Sequence, residues 1–278
     1  SRDDGMMSYS MSRNASAQRL WSGIATAIAW IGYLFLVLPS LVIIPISFGG
    51  DDELRFPPRR LSLSLFDQFF SEPSWWQAAI KSLVVASATT VLALAVGLPG
   101  AYALARSRFR GRRLVELLSI APMLVPIIVL GLGMYMHLAA MSLVDSLGGV
   151  VLAHAVVVLP FMMVSIGSGL RHVDPALEMV ATLMGASPLR VFWEVVLPQI
   201  KPSVMVGVLF AFLISFDEVV VSYFITGPAS TTLPVKMYSA IRWEVSPVLA
   251  AVSTLLTLFS LAVCLVIMRL QPPQPRAD

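Results

Sequence analysis

Residues 82–105 read Ser82-Leu-Val-Val-Ala-Ser-Ala-Thr-Thr-Val-Leu-Ala-Leu-Ala-Val-Gly-Leu-Pro-Gly-Ala-Tyr-Ala-Leu-Ala105, a run without Asp, Glu, Lys or Arg that ends on Arg106. About 20 apolar residues let a helix cross the hydrocarbon of a bilayer. The run shows no period-two alternation, so it reads as a helix rather than a barrel strand. Further charge-free stretches cover 20–50, 117–144, 146–170, 202–216 continued by 219–235, and 245–268. Six spans are therefore expected, at about 22–47, 79–105, 115–140, 148–170, 203–225 and 247–269, in an all-α membrane protein.

The composition agrees. Of 278 residues 57% are hydrophobic and 13% charged, with a mean hydropathy of +0.83. A soluble domain carries about 25% charge; half of that cannot cover its surface. Disorder needs low hydrophobicity and high net charge, the opposite of this chain. The single cysteine, Cys264, lies in an apolar run and forms no intrachain disulfide; it reads as a small hydrophobe. No cleavable signal peptide is expected before the first span. The opening Ser suggests a trimmed start, with Met6, Met7 or Met11 as candidate initiators.

Basic residues set the orientation. With both termini cytoplasmic, the inside segments hold Arg2, Arg13, Arg19, Arg106, Arg108, Arg110, Arg112, Arg113, Arg171, Arg190, Lys201, Arg269 and Arg276. The outside segments hold Arg55, Arg59, Arg60, Lys81, Lys236 and Arg242. Thirteen against six places the chain N-in and C-in, with the charges as orientation signals rather than a nucleic-acid face. The expected layout is a cytoplasmic segment 1–20, a membrane domain 21–270 with a cytoplasmic loop 171–202, and a cytoplasmic tail 271–278. Asp145 alone separates the third and fourth runs, as expected of a tight external hairpin. The outer segment 48–78 carries Phe66, Phe69, Phe70, Trp75 and Trp76, rings that suit the membrane interface.

The loop 171–202 is too polar to span yet is well punctuated. Asp174-Pro175 and Ser187-Pro188 each pair an N-cap with proline at the first helical position. Two short helices follow, Ala176–Met184 stopping at Gly185 and Leu189–Val196 ending before Pro198. Leu177, Val180, Ala181, Met184, Val191, Phe192 and Val195 make this knuckle apolar enough to need a partner, either the chain's own spans or another protein's groove.

Leu177-Glu-Met-Val-Ala-Thr-Leu-Met-Gly-Ala-Ser-Pro188, followed by Val195-Val-Leu-Pro198, resembles the EAA signature of ABC-importer permease subunits. Gly185, Leu197 and Pro198 match, Val195 stands for Ile, and Met179 occupies the Glu position with Glu178 one residue earlier. Ala101-Tyr-Ala-Leu-Ala-Arg106, Phe109-Arg-Gly-Arg112, Ala121-Pro-Met-Leu-Val-Pro126 with Gly131, and Leu159-Pro-Phe161 extend the likeness, whereas Lys81-Ser82 departs from the usual Asn-Ser. Ser215-Phe-Asp-Glu-Val-Val-Val-Ser-Tyr-Phe-Ile-Thr-Gly-Pro228, Leu233-Pro-Val-Lys-Met-Tyr-Ser239 and Val245-Ser-Pro247 are similar to the spermidine/putrescine, PotC-like branch.

The resemblance implies a type I ABC-importer (MetI-like) permease fold in a bacterial inner membrane. It implies two ATPase subunits, a second and different permease, a periplasmic binding protein and membrane lipid as partners. Asp174, Glu178, Met179, Ala181, Gly185, Ala186, Ser187, Pro188, Leu197 and Pro198 then form the ATPase-coupling segment. ATP and Mg belong to the ATPase subunits, and this chain is expected to hold no cofactor or metal and to catalyse nothing. The absence of a Gly-x-x-x-x-Gly-Lys-[Ser/Thr] run agrees.

Asp217 and Glu218 fall inside the fifth run, where a carboxylate costs at least about 2.5–3.5 kcal/mol and by default marks function. For a cationic solute such as a polyamine, a carboxylate offers a charge-assisted hydrogen bond. One allocation has Asp217 lining the path and Glu218 pairing with a neighbour; a structural ion pair with Lys81, Lys236 or the sister permease is the other. Tyr223, Tyr238 and Trp243 near the outer end could face an ammonium group or anchor the interface, and Glu244 could serve the solute or the binding protein. His137 and His154 are expected to pair within the bundle. The alternative from a different class is a self-sufficient secondary transporter or channel for a small organic cation.

Overall fold

A computed structural model describes residues 3–50, 54–244 and 246–270. Side chains are described at all of these except 3–20, 244, 263, 264, 266–268 and 270. The side chains of Glu244 and Cys264, those of the expected cytoplasmic segment 1–20, and the whole tail 271–278 therefore lie outside the described residues.

The chain folds as two compact units, one built from residues up to Ser71 and from Ser246 onward, the other from Glu72–Val245. The first begins with α1 (Asp3–Ser47), whose apolar part Trp21–Ser47 has none of its most apolar stretch buried. A short helix α2 (Ser64–Ser71) buries Leu65 and Phe69, and the ring of Phe66 lies 5.3 Å from that of Phe48.

The second unit carries the sites. Its helices are α3 (Pro73–Arg106), α4 (Arg112–Leu124), α5 (Ile127–Ala140), α6 (Leu147–His172), α7 (Pro175–Leu183), α8 (Pro188–Val191), α9 (Leu197–Phe216), α10 (Val220–Ile225) and α11 (Leu233–Ser239). The chain then returns to the first unit as α12 (Val248–Leu270), which packs against α1 and α2. Among the described residues four helices are long and apolar enough to cross a membrane, and the α4–α5 pair makes a fifth if it counts as one span. Val248–Ala262 is a shorter apolar helix within the expected sixth.

Proline is expected to kink the third apolar run, and there α4 and α5 meet at 108°. Pro126 disfavours helical backbone at Val125, which sits at φ −83°, ψ 132°. Two other local outcomes differ from the sequence expectation. The knuckle's second helix does not stop before Pro198. It continues through a π-turn, Phe192–Val196, in which the Leu197 N–H donates to the Phe192 carbonyl, and runs on into α9. The wider turn absorbs the irregularity that a proline without N–H introduces. The fifth run, conversely, breaks after Phe216 and resumes at Val220.

α3, α6 and α9 form the heart of this unit. Val158, Met162, Ile166 and Leu170 of α6 are fully buried against Ala93 and Ala101 of α3 and Ile200 and Ala211 of α9. Lipid tails are as apolar as these side chains, so close van der Waals fit rather than water exclusion holds such helices together. Glycine permits that approach. A Cβ on Gly97 would stand 2.9 Å from Met162 Cγ, and one on Gly207 would stand 2.9 Å from Met162 Sδ.

Candidate coupling and translocation sites

At the end of α6, Val173 adopts extended backbone and Asp174 caps α7, its Oδ1 accepting the Ala176 N–H at 2.9 Å with Pro175 in the first turn. The far end of α7 closes on Gly185 at φ +90°, a conformation that glycine takes without strain. There the Gly185 N–H donates to Thr182 O at 2.9 Å and the Ala186 N–H to Ala181 O at 3.1 Å, the paired bonds that satisfy a helix's last carbonyls. Ser187 caps α8 by accepting the Arg190 N–H at 3.4 Å, with Pro188 next in line. Leu197 and Pro198 open α9.

The knuckle has two faces. Inward, Ala181, Ala186, Val191, Phe192 and Val195 pack on the core around Leu170, and the Phe192 ring meets Tyr102 edge-on at 5.0 Å. Outward, Leu177, Met179, Val180, Leu189 and Trp193 are exposed, and Leu183 and Met184 reach 81% and 84% exposure. A groove of about 360 Å³ between Tyr102, Glu178, Met179, Thr182, Leu183, Pro188 and Val191 lies on this segment.

Glu178 turns inward, unlike its neighbours. Its Oε1 accepts from Arg106 Nε at 2.6 Å and its Oε2 from the Tyr102 hydroxyl at 2.9 Å. The same guanidinium donates through Nη2 to Val173 O at 3.1 Å and to Leu170 O at 3.5 Å. Sequence reading treats Arg106 as an orientation charge only; its place at the very end of the apolar run of α3 was the available hint.

The second locus is the break in the fifth run. The Asp217 N–H caps α9 by donating to Leu213 O at 3.0 Å, and its side chain is exposed. Glu218 is buried, and its Oε1 accepts the Val221 N–H at 2.9 Å, closing the first turn of α10. The two acids therefore do not lie on one helix: Asp217 ends α9 and Glu218 opens α10. Among the described residues neither is in an ion pair with Lys81 or Lys236, and the Lys236 ammonium lies 5.2 Å from the centre of the Trp75 ring.

His154 braces the break from α6, with Nδ1 2.9 Å from Ser215 Oγ and Nε2 2.7 Å from Ser222 Oγ. Ser215 lies in the last turn of α9 and Ser222 in α10, so one imidazole holds both sides of the gap. His137 instead bonds its own helix at Gly133 O, 2.9 Å away. Tyr223 and Tyr238 meet edge-on at 5.4 Å, both partly exposed. Trp243 is faced by the Arg242 guanidinium at 5.5 Å. Glu244 falls outside the described side chains.

Residues 96–272 match the family described as "Binding-protein-dependent transport system inner membrane component". The chain belongs to this family.

The permease has relatives along most of its length. It is 30% identical over 239 residues to the spermidine/putrescine transport system permease protein PotC of Haemophilus influenzae, covering 86% of this chain and 93% of that one. It is 31% identical to the putrescine transport system permease protein PotI of Escherichia coli, over 81% and 83% of the two chains. It is also 33% identical to the molybdate/tungstate transport system permease protein WtpB of Pyrococcus abyssi, over 67% and 74%. In fold, the permease resembles a chain of a bacterial ABC transporter involved in import of the acidic polysaccharide alginate, with TM-score 0.72, 18% identity, and 92% and 98% coverage.

Proposed function

We propose that this permease forms half of the translocation path of an ATP-driven importer, and that its solute is a polyamine of the spermidine/putrescine class. The observation that carries the solute assignment is Asp217: an exposed carboxylate at the break that ends α9 in the fifth apolar run. An unpaired acid at that depth is costly unless it serves a path or a partner, and an ammonium group repays it with a charge-assisted hydrogen bond. The PotC and PotI relatives support this reading. Tyr223 and Tyr238 add ring faces for the same cation.

Energy comes from elsewhere. Two ATPase subunits bind ATP and Mg and dock on the exposed face of α7 and α8, where Leu183 and Met184 enter an apolar groove. A second, different permease completes the path, and a periplasmic binding protein delivers the solute. With both termini cytoplasmic, α7 lies on the ATPase side and Asp145 on the opposite side.

The test is ATP hydrolysis and uptake by the reconstituted complex, with binding protein, in the presence of putrescine, spermidine or molybdate. Stimulation by a polyamine alone is the expected result. Stimulation by molybdate and not by polyamines overturns the solute assignment, and uptake by the purified chain without ATPase subunits overturns the importer reading.

A further inference from the structure

We propose that Glu178, Arg106 and Tyr102 form a latch internal to this chain, which passes motion of α7 to the ends of α3 and α6. Glu178 is thus a positioning residue for coupling rather than a contact for the ATPase. The proposal rests on the docking role assigned above to the exposed face of α7.

Direction comes first. Glu178 is the only acid within α7, and its side chain is 14% exposed while that of Arg106 is 21% exposed. Apart from Thr182, whose hydroxyl bonds its own helix, the exposed residues of α7 are apolar. The carboxylate is therefore turned away from a docked partner.

Connectivity comes next. Arg106 and Tyr102 are four residues apart on α3, hence on one face of it. The guanidinium fork is planar and rigid. One edge takes Glu178 of α7, and another nitrogen takes the carbonyls of Leu170 and Val173 at the end of α6. Those carbonyls have no partner of their own within the helix, and a cation there also suits the helix dipole. Three segments meet at one side chain.

Attachment strength completes the case. No residue of α7 is buried, so packing alone holds it loosely. The other described ion pair, Arg190 with Glu194, is 66% and 60% exposed, the kind that contributes little. The latch is a shielded, hydrogen-bonded ion pair that ties α7 to the spans. Without it, an ATPase still docks on Leu183 and Met184, but displacement of α7 is absorbed locally instead of moving α3 and α6.

The experiment uses the full complex in liposomes, with binding protein and polyamine, and reads three quantities: retention of ATPase subunits, ATP hydrolysis, and uptake per ATP. Glu178→Gln and Arg106→Gln should retain the ATPase subunits while uptake per ATP falls about fivefold or more, the lower range of coupling between distant sites. The double variant should fall no further than either single one, because both break the same link. Tyr102→Phe, a milder change, should shift the ratio in the same direction, and Glu194→Gln should leave it unchanged. Unaltered uptake per ATP in both single variants overturns the latch, as does loss of ATPase subunits from Glu178→Gln but not from Arg106→Gln. Leu183→Asp tests the underlying reading separately: if that variant keeps its ATPase subunits, the docking face is wrong, whatever the latch variants do.

Discussion

Asp145 holds Ser230 twice, its Oδ1 accepting the Ser230 N–H at 2.9 Å and the Ser230 hydroxyl at 2.8 Å. The same carboxylate accepts the N–H groups of Gly227 at 2.9 Å and Ala229 at 3.3 Å. A residue in the turn between α5 and α6 thus organises the loop that leads into α11. Gly227 allows the approach, since a Cβ there would stand 2.7 Å from the Asp145 carboxylate. Asp145 itself sits at φ 56°, a backbone region that aspartate tolerates better than most residues.

Replacing Asp145 by Ala should therefore loosen the 226–232 loop and lower Tm more than Asp145→Asn, which keeps one acceptor. Desolvation pushes the carboxyl's pKa up, but hydrogen bonds from the Ser230 side chain and from the Ala229, Ser230 and Gly227 N–H groups outweigh it and hold it below the ordinary 3.8. A depressed pKa means that the stabilisation is complete above the ordinary value and is lost as pH falls through the lower, folded one. Thermal melts in detergent between pH 7 and pH 3 should show an acid-side loss that Asp145→Asn lacks. Identical acid limbs would remove this role.

His154→Ala removes two interhelical hydrogen bonds, each about 0.6–1.7 kcal/mol in a membrane, and opens a cavity beside them. A loss of about 2–4 kcal/mol is expected. His154→Phe fills the space but strands both serine hydroxyls. Adding Ser215→Ala and Ser222→Ala should then recover most of the stability, because removing all the partners is cheaper than orphaning some. Chemical denaturation of the four proteins measures it; no recovery in the triple variant contradicts the bracing role.

Gly97→Val and Gly207→Val each drive a side chain into Met162, which is fully buried. Overpacking of this kind costs about 1–3 kcal/mol. Combining either change with Met162→Ala should return part of it. If Gly97→Val melts like the parent protein, the close α3–α6 contact is not what holds the bundle.

Asp217 and Glu218 should separate by phenotype. Asp217→Asn loses a charged partner for the solute, about 1.5–3 kcal/mol, and should cut polyamine uptake about tenfold or more with Tm unchanged. Glu218→Ala removes the cap on α10 and should cost about 1 kcal/mol of stability; Glu218→Gln keeps an acceptor and should stay near the parent protein. Normal uptake by Asp217→Asn together with failure of Glu218→Gln would reverse the allocation.

The helices were legible because lipid imposes a simple rule: a backbone crossing hydrocarbon must satisfy its own hydrogen bonds, so long charge-free runs become helices. The caps at Asp174 and Ser187 and the stop at Gly185 were legible because they are local, each a side chain or backbone angle acting within four residues. Pro198 misled because a π-turn was available to absorb it, and the 108° bend at Pro126 is larger than any spacing of apolar residues records.

The order of residues suffices to place this chain in a membrane as a set of helices and to show that 171–202 carries a spare apolar face; it does not locate the break after Phe216 or the continuation through Pro198. Only tertiary structure decided which way the few polar groups point. Glu178 and Met179 are neighbours in sequence, yet one is tied to Arg106 across 72 residues and the other faces outward. Asp217 and Glu218 are neighbours too, yet the break between α9 and α10 leaves one exposed and buries the other. Local patterns fix secondary structure; the direction of a side chain depends on partners far along the chain, which come together only when the helices pack.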